Sequence, residues 1–211
     1  MKIAIIGTSG KAGSLIAKEA IARNYEVTGF TRRAEAIVPK GVKQITKDIL
    51  SITKEDLAGF DVVIDAFGTW TEETLPLHAI SCMHLCDTVS GTEIRLLVMG
   101  GAGSLYMDKT HTLQLVNTPE FPKEYKAASL AQTKELEELR KRSDVRWTFF
   151  SPAIVFLPDG KRTGTYKLGG EELIFDEKGE STISYADYAI AMLDEAEQGR
   201  FIQKRFTAIN T

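Results

Sequence analysis

The hydrophobic residues of this chain fall into short apolar runs that alternate with amphipathic segments. The runs are continuous rather than interrupted by polar residues, which is typical of strands buried on both faces of a sheet. Between them, apolar residues recur at helical spacing. The alternation predicts a parallel sheet covered by helices on both sides. The predicted strands are Lys2–Ile6, Glu26–Phe30, Val42–Thr46, Asp61–Ala66, Arg95–Met99 and Trp147–Ser151, and the predicted helices are Ser14–Arg23, Thr74–Leu85 and Tyr125–Arg142.

The long helix predicted over Tyr125–Arg142 has one apolar and one charged face. Acid–base pairs four residues apart on the charged face, Glu137 with Lys141 and Glu138 with Arg142, are expected to add a little helix stability. The residues expected to be buried on the apolar face are Ala128, Leu130, Ala131, Leu136 and Leu139.

The pattern changes after the sixth strand, where glycines and a proline punctuate short segments. Asp159–Ile183 is predicted to form a hairpin-rich part of a small C-terminal annex, about residues 155–183, on the substrate side of the sheet. Ser184 with Asp187 three residues on resembles a capping box at a helix start. The elements predicted after it are a helix over Tyr188–Ala196 and a strand over Arg205–Ile209.

Composition narrows the class of protein. The chain has 211 residues, of which 43% are hydrophobic and 26% charged, and at roughly 100–200 residues per domain this predicts a single domain, residues 1–211. The net charge of −3 gives no basic field for nucleic acid. No apolar run approaches the ~20 residues of a membrane span. We therefore expect a cytoplasmic protein, a monomer or homodimer, that acts on a small molecule.

The first strand runs into a glycine-rich turn with the pattern G-x-x-G-x-x-G. In a strand–turn–helix context this pattern permits a tight turn, lets a pyrophosphate approach the backbone and lets the helix pack on the strand. The helix N-terminus then offers N–H groups and partial positive charge to phosphates. The residues predicted to contact the dinucleotide here are Gly7, Thr8, Ser9, Gly10, Lys11, Ala12 and Gly13.

The end of the second strand indicates which dinucleotide is bound. NAD-binding proteins carry an acidic residue about 20 residues beyond the glycine loop, for the ribose 2′-hydroxyl. This chain has Thr31, Arg32 and Arg33 there instead. Guanidinium groups pair bidentately with phosphate oxygens. The sequence therefore predicts that NADP(H) is preferred over NAD(H).

Taken together, these motifs resemble the atypical short-chain dehydrogenases/reductases, and within them the NADH-flavin reductase and biliverdin reductase B-like branch. Four segments carry the resemblance: the glycine loop, the strand end at Phe30–Arg33, Val98–Tyr106 and Trp147–Ala153. The resemblance implies a Rossmann-type doubly wound α/β fold. It also implies further cofactor contacts near the adenine, under the nucleotide and beside the nicotinamide, from Asp48, Ile49, Ala66, Phe67, Gly68, Gly100, Gly101, Ala102, Pro152, Ala153 and Ile154. Asp48 could equally be a helix-start residue and Pro152 a turn residue.

The chain departs from typical short-chain dehydrogenases in one respect. These enzymes use Tyr-x-x-x-Lys for proton transfer, and no tyrosine of this chain has a lysine four residues on. A reductase of flavins or similar conjugated acceptors does not need that dyad, because the nicotinamide carries the hydride chemistry. A proton could come from water or from Ser104, Tyr106 or His111 after the fifth strand, although the two ring residues could equally be ordinary loop residues.

A metal site is not expected. The segment with His78, Cys82, His84 and Cys86 invites that interpretation, but cysteine is commonly a small buried hydrophobe, and no second ligand cluster with zinc-type spacing follows.

The leading hypothesis is thus an NAD(P)H-dependent reductase of a flavin or similar acceptor. The alternative is a non-catalytic NADP-binding redox sensor of the NmrA-like kind. A sugar-nucleotide epimerase is disfavoured, since such enzymes usually need the tyrosine dyad and a larger substrate domain.

Overall fold

The computed structural model describes residues 1–211 and contains one eight-stranded sheet with helices on both faces. The ten strands are β1 (Lys2–Ile6), β2 (Glu26–Thr31), β3 (Lys43–Thr46), β4 (Val62–Asp65), β5 (Arg95–Met99), β6 (Arg146–Ser151), β7 (Val155–Leu157), β8 (Tyr166–Gly169), β9 (Thr182–Ser184) and β10 (Lys204–Asn210). The five α-helices are α1 (Lys11–Ala22), α2 (Lys54–Leu57), α3 (Leu77–Val89), α4 (Lys123–Leu139) and α5 (Tyr185–Gln198).

The strand order in the main sheet is β3-β2-β1-β4-β5-β6-β10-β8. All neighbours are parallel except β10 and β8. The chain builds the sheet outward from β1 to β3 on one side and then from β4 to β6 on the other, so the direction of building reverses between β1 and β4. A crevice opens there at the carboxyl ends of these two strands, which is where doubly wound folds bind their ligands. The predicted Rossmann-type α/β class is confirmed.

Two hydrophobic clusters lie on opposite faces of this sheet. One joins alternate residues of β1, such as Ile3 and Ile5, to α1 and α5. The other joins the intervening residues Ala4 and Ile6 to α3 and α4. The continuous apolar runs seen in the sequence are explained by this arrangement, because each strand supplies side chains to both cores. None of the helices has the length and hydrophobicity that crossing a bilayer requires.

The region after β6 differs from the expected hairpins. β7 pairs with β9 in parallel, so these two strands do not form a hairpin. β8 adds to the main sheet as an antiparallel edge strand beside β10. The capping of the last helix follows the prediction, since the Ser184 side chain accepts a hydrogen bond from the Asp187 amide.

The long helix α4 also departs from the expected burial. Leu130 is 44% exposed rather than buried, whereas Ala128, Leu136 and Leu139 are buried as predicted. Neither predicted pair of charges four residues apart forms. Lys141 bonds to Glu138 instead, and Arg142 reaches across to helix α3 and to the loop before β6. These contacts to neighbouring elements outweigh the weak pairing along one helix face.

Candidate functional site

The turn after β1 brings three backbone segments into close approach. Gly7 has φ of +78°, and a Cβ placed on it would lie 2.5 Å from the Ala66 carbonyl oxygen. A Cβ on Gly13 would lie 2.4 Å from the Gly7 carbonyl oxygen. Glycine is therefore required at both positions, so that β1, α1 and the segment after β4 can pack together. Gly10 is less crowded, since its Cβ would lie 3.2 Å from the nearest atom, the Gly7 carbonyl oxygen.

Helix α1 begins next to this turn without any charge or side chain that satisfies its first N–H groups. Gly10 is the N-cap residue and provides no side-chain cap, and the first turn holds no acidic residue. The N–H groups of Lys11, Ala12 and Gly13 have no acceptor within the helix. The helix end thus fits a phosphate by both hydrogen bonding and dipole, as a dinucleotide-binding loop should.

The two hydroxyl residues of the turn have different environments. Thr8 is fully buried, donates its hydroxyl proton to the Ile5 carbonyl at 2.6 Å and packs against Gly29. Ser9 is exposed. Of these two predicted contact residues, only Ser9 therefore has a hydroxyl placed to donate to a phosphate, and Thr8 has only its backbone N–H for such a role.

Hydrogen bonds hold the backbone of the turn after β2, while the side chains of its two arginines are exposed to solvent. The Thr31 hydroxyl donates to the Arg33 carbonyl at 3.0 Å, and the Gln44 amide on β3 donates to the Thr31 hydroxyl at 2.8 Å and to the Ala34 carbonyl at 3.2 Å. Arg32 forms no ion pair, and Arg33 has only a loose one, 3.7 Å from Glu35. Both guanidinium groups are therefore available to an anion. Sequence reasoning missed the supporting role of Gln44, which depends on the β2–β3 pairing.

The segments expected near the adenine and under the nucleotide lie at the same edge of the sheet. Asp48 is exposed and accepts a hydrogen bond from the Leu50 amide at 3.0 Å, so it does act as a local cap, the alternative considered for it. Asp65 accepts from the Phe67 amide at 3.0 Å and fixes the turn over Ala66–Gly68. Ile49 is half-buried and packs against the hydrophobic cluster that includes α3 and α4.

Glycines also set the path of the chain after β5. A Cβ on Gly100 would lie 2.0 Å from the Phe149 ring, and one on Gly101 would lie 2.3 Å from the Gln132 amide oxygen. The segment Gly100–Ala102 therefore passes close to β6 and α4. Pro152 and Ala153 after β6 are buried, whereas Ile154 is exposed. Both segments follow the carboxyl ends of adjacent strands, where the nicotinamide was expected.

The structure brings together Ser104, Tyr106 and His111, the three residues considered for proton transfer. Their partners are Arg205 and Glu172, which the sequence did not suggest. Ser104 is buried, and its oxygen accepts from the Arg205 guanidinium at 3.1 Å. Tyr106 stacks on His111 with ring centroids 4.5 Å apart. Arg205 also lies 5.8 Å from the Tyr106 ring centroid. A stack of guanidinium, phenol and imidazole results.

His111 is held by Glu172, whose carboxylate oxygen lies 2.7 Å from Nε2. This hydrogen bond lowers the pKa of Glu172 below its ordinary value. The backbone of His111 has φ of +54°, an uncommon conformation for a residue other than glycine. Sequence spacing could not reveal this pairing, because the two residues are brought together only when the segment around Glu172 bridges to Tyr106.

Large apolar side chains are exposed mainly at the same edge. Most of them lie in segments that follow β4, β5 and β6, namely Trp70, Met107, Leu113, Tyr125, Ile154, Val155 and Leu157. We call this group the apolar rim. Exposed apolar side chains in the segments that follow the strand ends beside a ligand cleft indicate a binding surface.

Comparison with known proteins identifies the family of the chain. Residues 7–197 match a family model described as NAD(P)H-binding. The uncharacterized protein YwnB of Bacillus subtilis is 45% identical over 211 residues, which is 100% of this chain and 99% of YwnB. The crystal structure of SP1627 from Streptococcus pneumoniae TIGR4, provisionally named an NADH-flavin reductase, is 47% identical, covers 100% of both chains and has a TM-score of 0.95.

A more distant structure shows the fold alone. ChuY, an anaerobilin reductase from Escherichia coli O157:H7, is 16% identical with a TM-score of 0.72, covering 100% of this chain and 97% of ChuY. The family model and the near relatives span the glycine loop, the strand ends and the annex. The chain belongs to the NAD(P)H-binding family of atypical short-chain dehydrogenase/reductase-like proteins, as its motifs predicted.

Proposed function

We propose that this protein is an NADPH-dependent reductase whose acceptor is a flavin or another flat conjugated molecule. The observation that carries the proposal is the position of the apolar rim, at the same sheet edge as the glycine loop and the uncapped end of α1. A flat apolar acceptor bound there would lie beside the expected nicotinamide position, and holding the two reactants together is itself a large catalytic effect.

The preference for NADPH rests on the turn after β2. Arg32 and Arg33 carry no close anionic partner, and Thr31 and Gln44 fix the backbone that presents them. No acidic side chain occupies the position expected to bind a ribose 2′-hydroxyl. The remaining contacts proposed for the cofactor are those of the glycine loop, Asp48–Ile49, Ala66–Gly68, Gly100–Ala102 and Pro152–Ile154.

A bound nicotinamide would supply the hydride. The protein would orient the acceptor against it and exclude water through the rim. The acceptor's proton could come from solvent, since Ser104 is buried against Arg205 and no tyrosine has the lysine partner of typical dehydrogenases. His111, paired with Glu172 at an exposed position, is the side chain best placed to exchange a proton with solvent.

The buried environment of Ser104 also favours a second candidate function, a redox sensor that binds the dinucleotide without turnover. In that function the stack of Arg205, Tyr106 and His111 would be structural.

Steady-state NADPH oxidation against riboflavin, FMN, quinones and tetrapyrroles tests the reductase proposal. Trp70→Ala should raise the KM for the acceptor several-fold and leave the Kd for NADPH unchanged, because Trp70 is 72% exposed on the rim. Ile80→Ala is the matched control, since Ile80 is 51% exposed but lies on α3 outside the rim. Tight NADPH binding with no turnover of any acceptor would reject the reductase and favour the sensor.

A further inference from the structure

Acid and thiol side chains form a buried group beneath the segment that follows β4. Asp65 ends β4, Cys82 lies on α3 and Glu135 lies on α4, and one ligand atom from each lies within 4.8 Å of the others. All three residues are buried, with Glu135 only 3% exposed. The Oε2 atom of Glu135 has no hydrogen-bond partner. An orphan carboxylate oxygen on a member of such a buried group is a costly feature that calls for a partner.

No cation of the protein compensates this group. Burial raises the pKa of Asp65 to about 6, and burial together with the Asp65 carboxyl raises the pKa of Glu135. The pKa of the Cys82 thiol is raised by the neighbouring Cys86 thiol and by burial. No lysine, arginine or histidine is among the groups that shift these three. In a water-excluded interior, acids of this kind stay protonated unless they are paired or coordinate a metal.

The spacing is near that of ligands around one ion. Two ligand atoms bound to one ion at about 2.0–2.3 Å are separated by at most ~4.6 Å, and the ligand atoms of Asp65, Cys82 and Glu135 lie within 4.8 Å of one another. Asp65 and Glu135 form no hydrogen bond with each other, so they do not share a proton. Cys86 lies one helical turn beyond Cys82 with its thiol next to that of Cys82, but it does not lie within the same distance of both carboxylates and is not part of the group.

We propose that Asp65, Cys82 and Glu135 bind a zinc ion. Thiolate and carboxylate donors in a buried site suit this borderline-soft ion. The ion would tie β4 to α3 and α4 and, through Asp65, would support the turn over Ala66–Gly68. Binding requires deprotonated ligands and so releases protons.

This proposal revises the expectation that the chain holds no metal, and it is independent of the reductase proposal. The two histidines considered from sequence are not part of the site. His78 Nε2 lies 3.1 Å from the Thr69 carbonyl oxygen, and His84 Nε2 lies 2.8 Å from the Ile52 carbonyl oxygen.

Metal analysis of the full chain, purified without chelator, should find about one zinc per chain, and chelation should lower the Tm by several degrees. Cobalt added to the chelated protein should give a thiolate-to-cobalt charge-transfer band in the near ultraviolet. Cys82→Ser and Glu135→Gln should abolish the band, whereas the control His84→Gln should retain it. If Cys82→Ser does not fold, the band in Glu135→Gln provides the test, because glutamine has the same shape as glutamate.

Zinc at background level together with no charge-transfer band would overturn the proposal. In that case, an infrared band from a protonated carboxylic acid at neutral pH, lost in Glu135→Gln, would identify the group as neutral acids. A charge-transfer band that persists in both Cys82→Ser and Glu135→Gln would likewise overturn it, since the cobalt would then be bound elsewhere.

Discussion

The carbonyl oxygen of Ala66 lies 2.5 Å from the place where a Cβ on Gly7 would stand. The turn after β1 and the segment after β4 are therefore in direct backbone contact across the crevice. A Cβ on Gly13 would lie similarly close, 2.4 Å, to the Gly7 carbonyl oxygen. The crevice floor is thus made of backbone, which leaves room for a pyrophosphate and offers it N–H groups rather than side chains.

Substitutions at Gly10 and Gly13 should have different effects on stability and on dinucleotide binding. Gly13→Ala should destabilise the fold by about 1–3 kcal/mol, because its methyl would overlap backbone atoms. Gly10→Val should fold with a Tm close to that of the wild type but lose dinucleotide binding, because its side chain would occupy the pyrophosphate position. Thermal unfolding and cofactor titration measure both effects. A folded Gly10→Val that binds NADPH tightly would contradict the phosphate-loop assignment.

Arg32 and Arg33 should account for discrimination between the two dinucleotides. Replacing both by alanine should weaken NADPH binding through loss of charge-assisted bonds worth roughly 1.5–3 kcal/mol each, and should leave NADH binding nearly unchanged. Titration of both cofactors into both proteins measures the ratio of the two Kd values. Lys11→Ala is a useful control, since it removes an exposed cation at the phosphate loop and should weaken both cofactors alike. An unchanged ratio in the double variant would show that these arginines do not contact the 2′-phosphate.

Tyrosine hydroxyls should be dispensable for turnover. Tyr106→Phe retains the ring that stacks between His111 and Arg205, and Tyr125→Phe changes an exposed residue at the start of α4. Each variant should keep flavin reduction within about tenfold of the wild type, a barrier change under ~1.4 kcal/mol. The assay is NADPH oxidation with FMN at saturating cofactor. A loss of several orders of magnitude with intact NADPH binding would reveal a tyrosine acid.

Asp187 should make the attachment of the annex sensitive to acid. Burial acts to raise the pKa of Asp187, but hydrogen bonds from Gly164, Thr163, Ser184 and Asn210 outweigh burial and hold this pKa below its ordinary value. Because the folded-state pKa is depressed, its stabilising contribution is present above the ordinary pKa and is lost as pH falls through the folded pKa. Asp187→Asn should therefore flatten the decline in unfolding free energy below about pH 5.

Urea unfolding at a series of pH values measures this effect. At neutral pH the same variant should be less stable by about 1–3 kcal/mol, since an amide cannot accept all of the hydrogen bonds. Asp176→Asn, a change in an exposed turn of the annex, serves as the control. Identical slopes in Asp187→Asn and wild type at acid pH would show that this carboxylate does not stabilise the annex.

The sequence predicted the parallel core well because its signals are local. β1 and β5 match their predicted bounds, since their apolar runs end at a glycine turn. The placement of β8 could not be predicted, because Tyr166–Gly169 has no apolar run and pairs only where β10 leaves an edge. Buried Glu135 among the charges of α4 was missed for a similar reason. Helical periodicity gives an amphipathic face, but the neighbouring helix α3 decides which residues are covered.

The central claim is that hydride passes from NADPH to a flat acceptor held at the rim. Anaerobic stopped-flow mixing of the NADPH-loaded protein with FMN follows bleaching of the flavin directly. We expect the protein to bleach the flavin at a rate that falls when the transferred hydrogen of NADPH is deuterium. The rate should also fall in Trp70→Ala, whereas Ile80→Ala should bleach the flavin as fast as the wild type. Bleaching no faster than in the absence of protein, with NADPH demonstrably bound, would contradict the account.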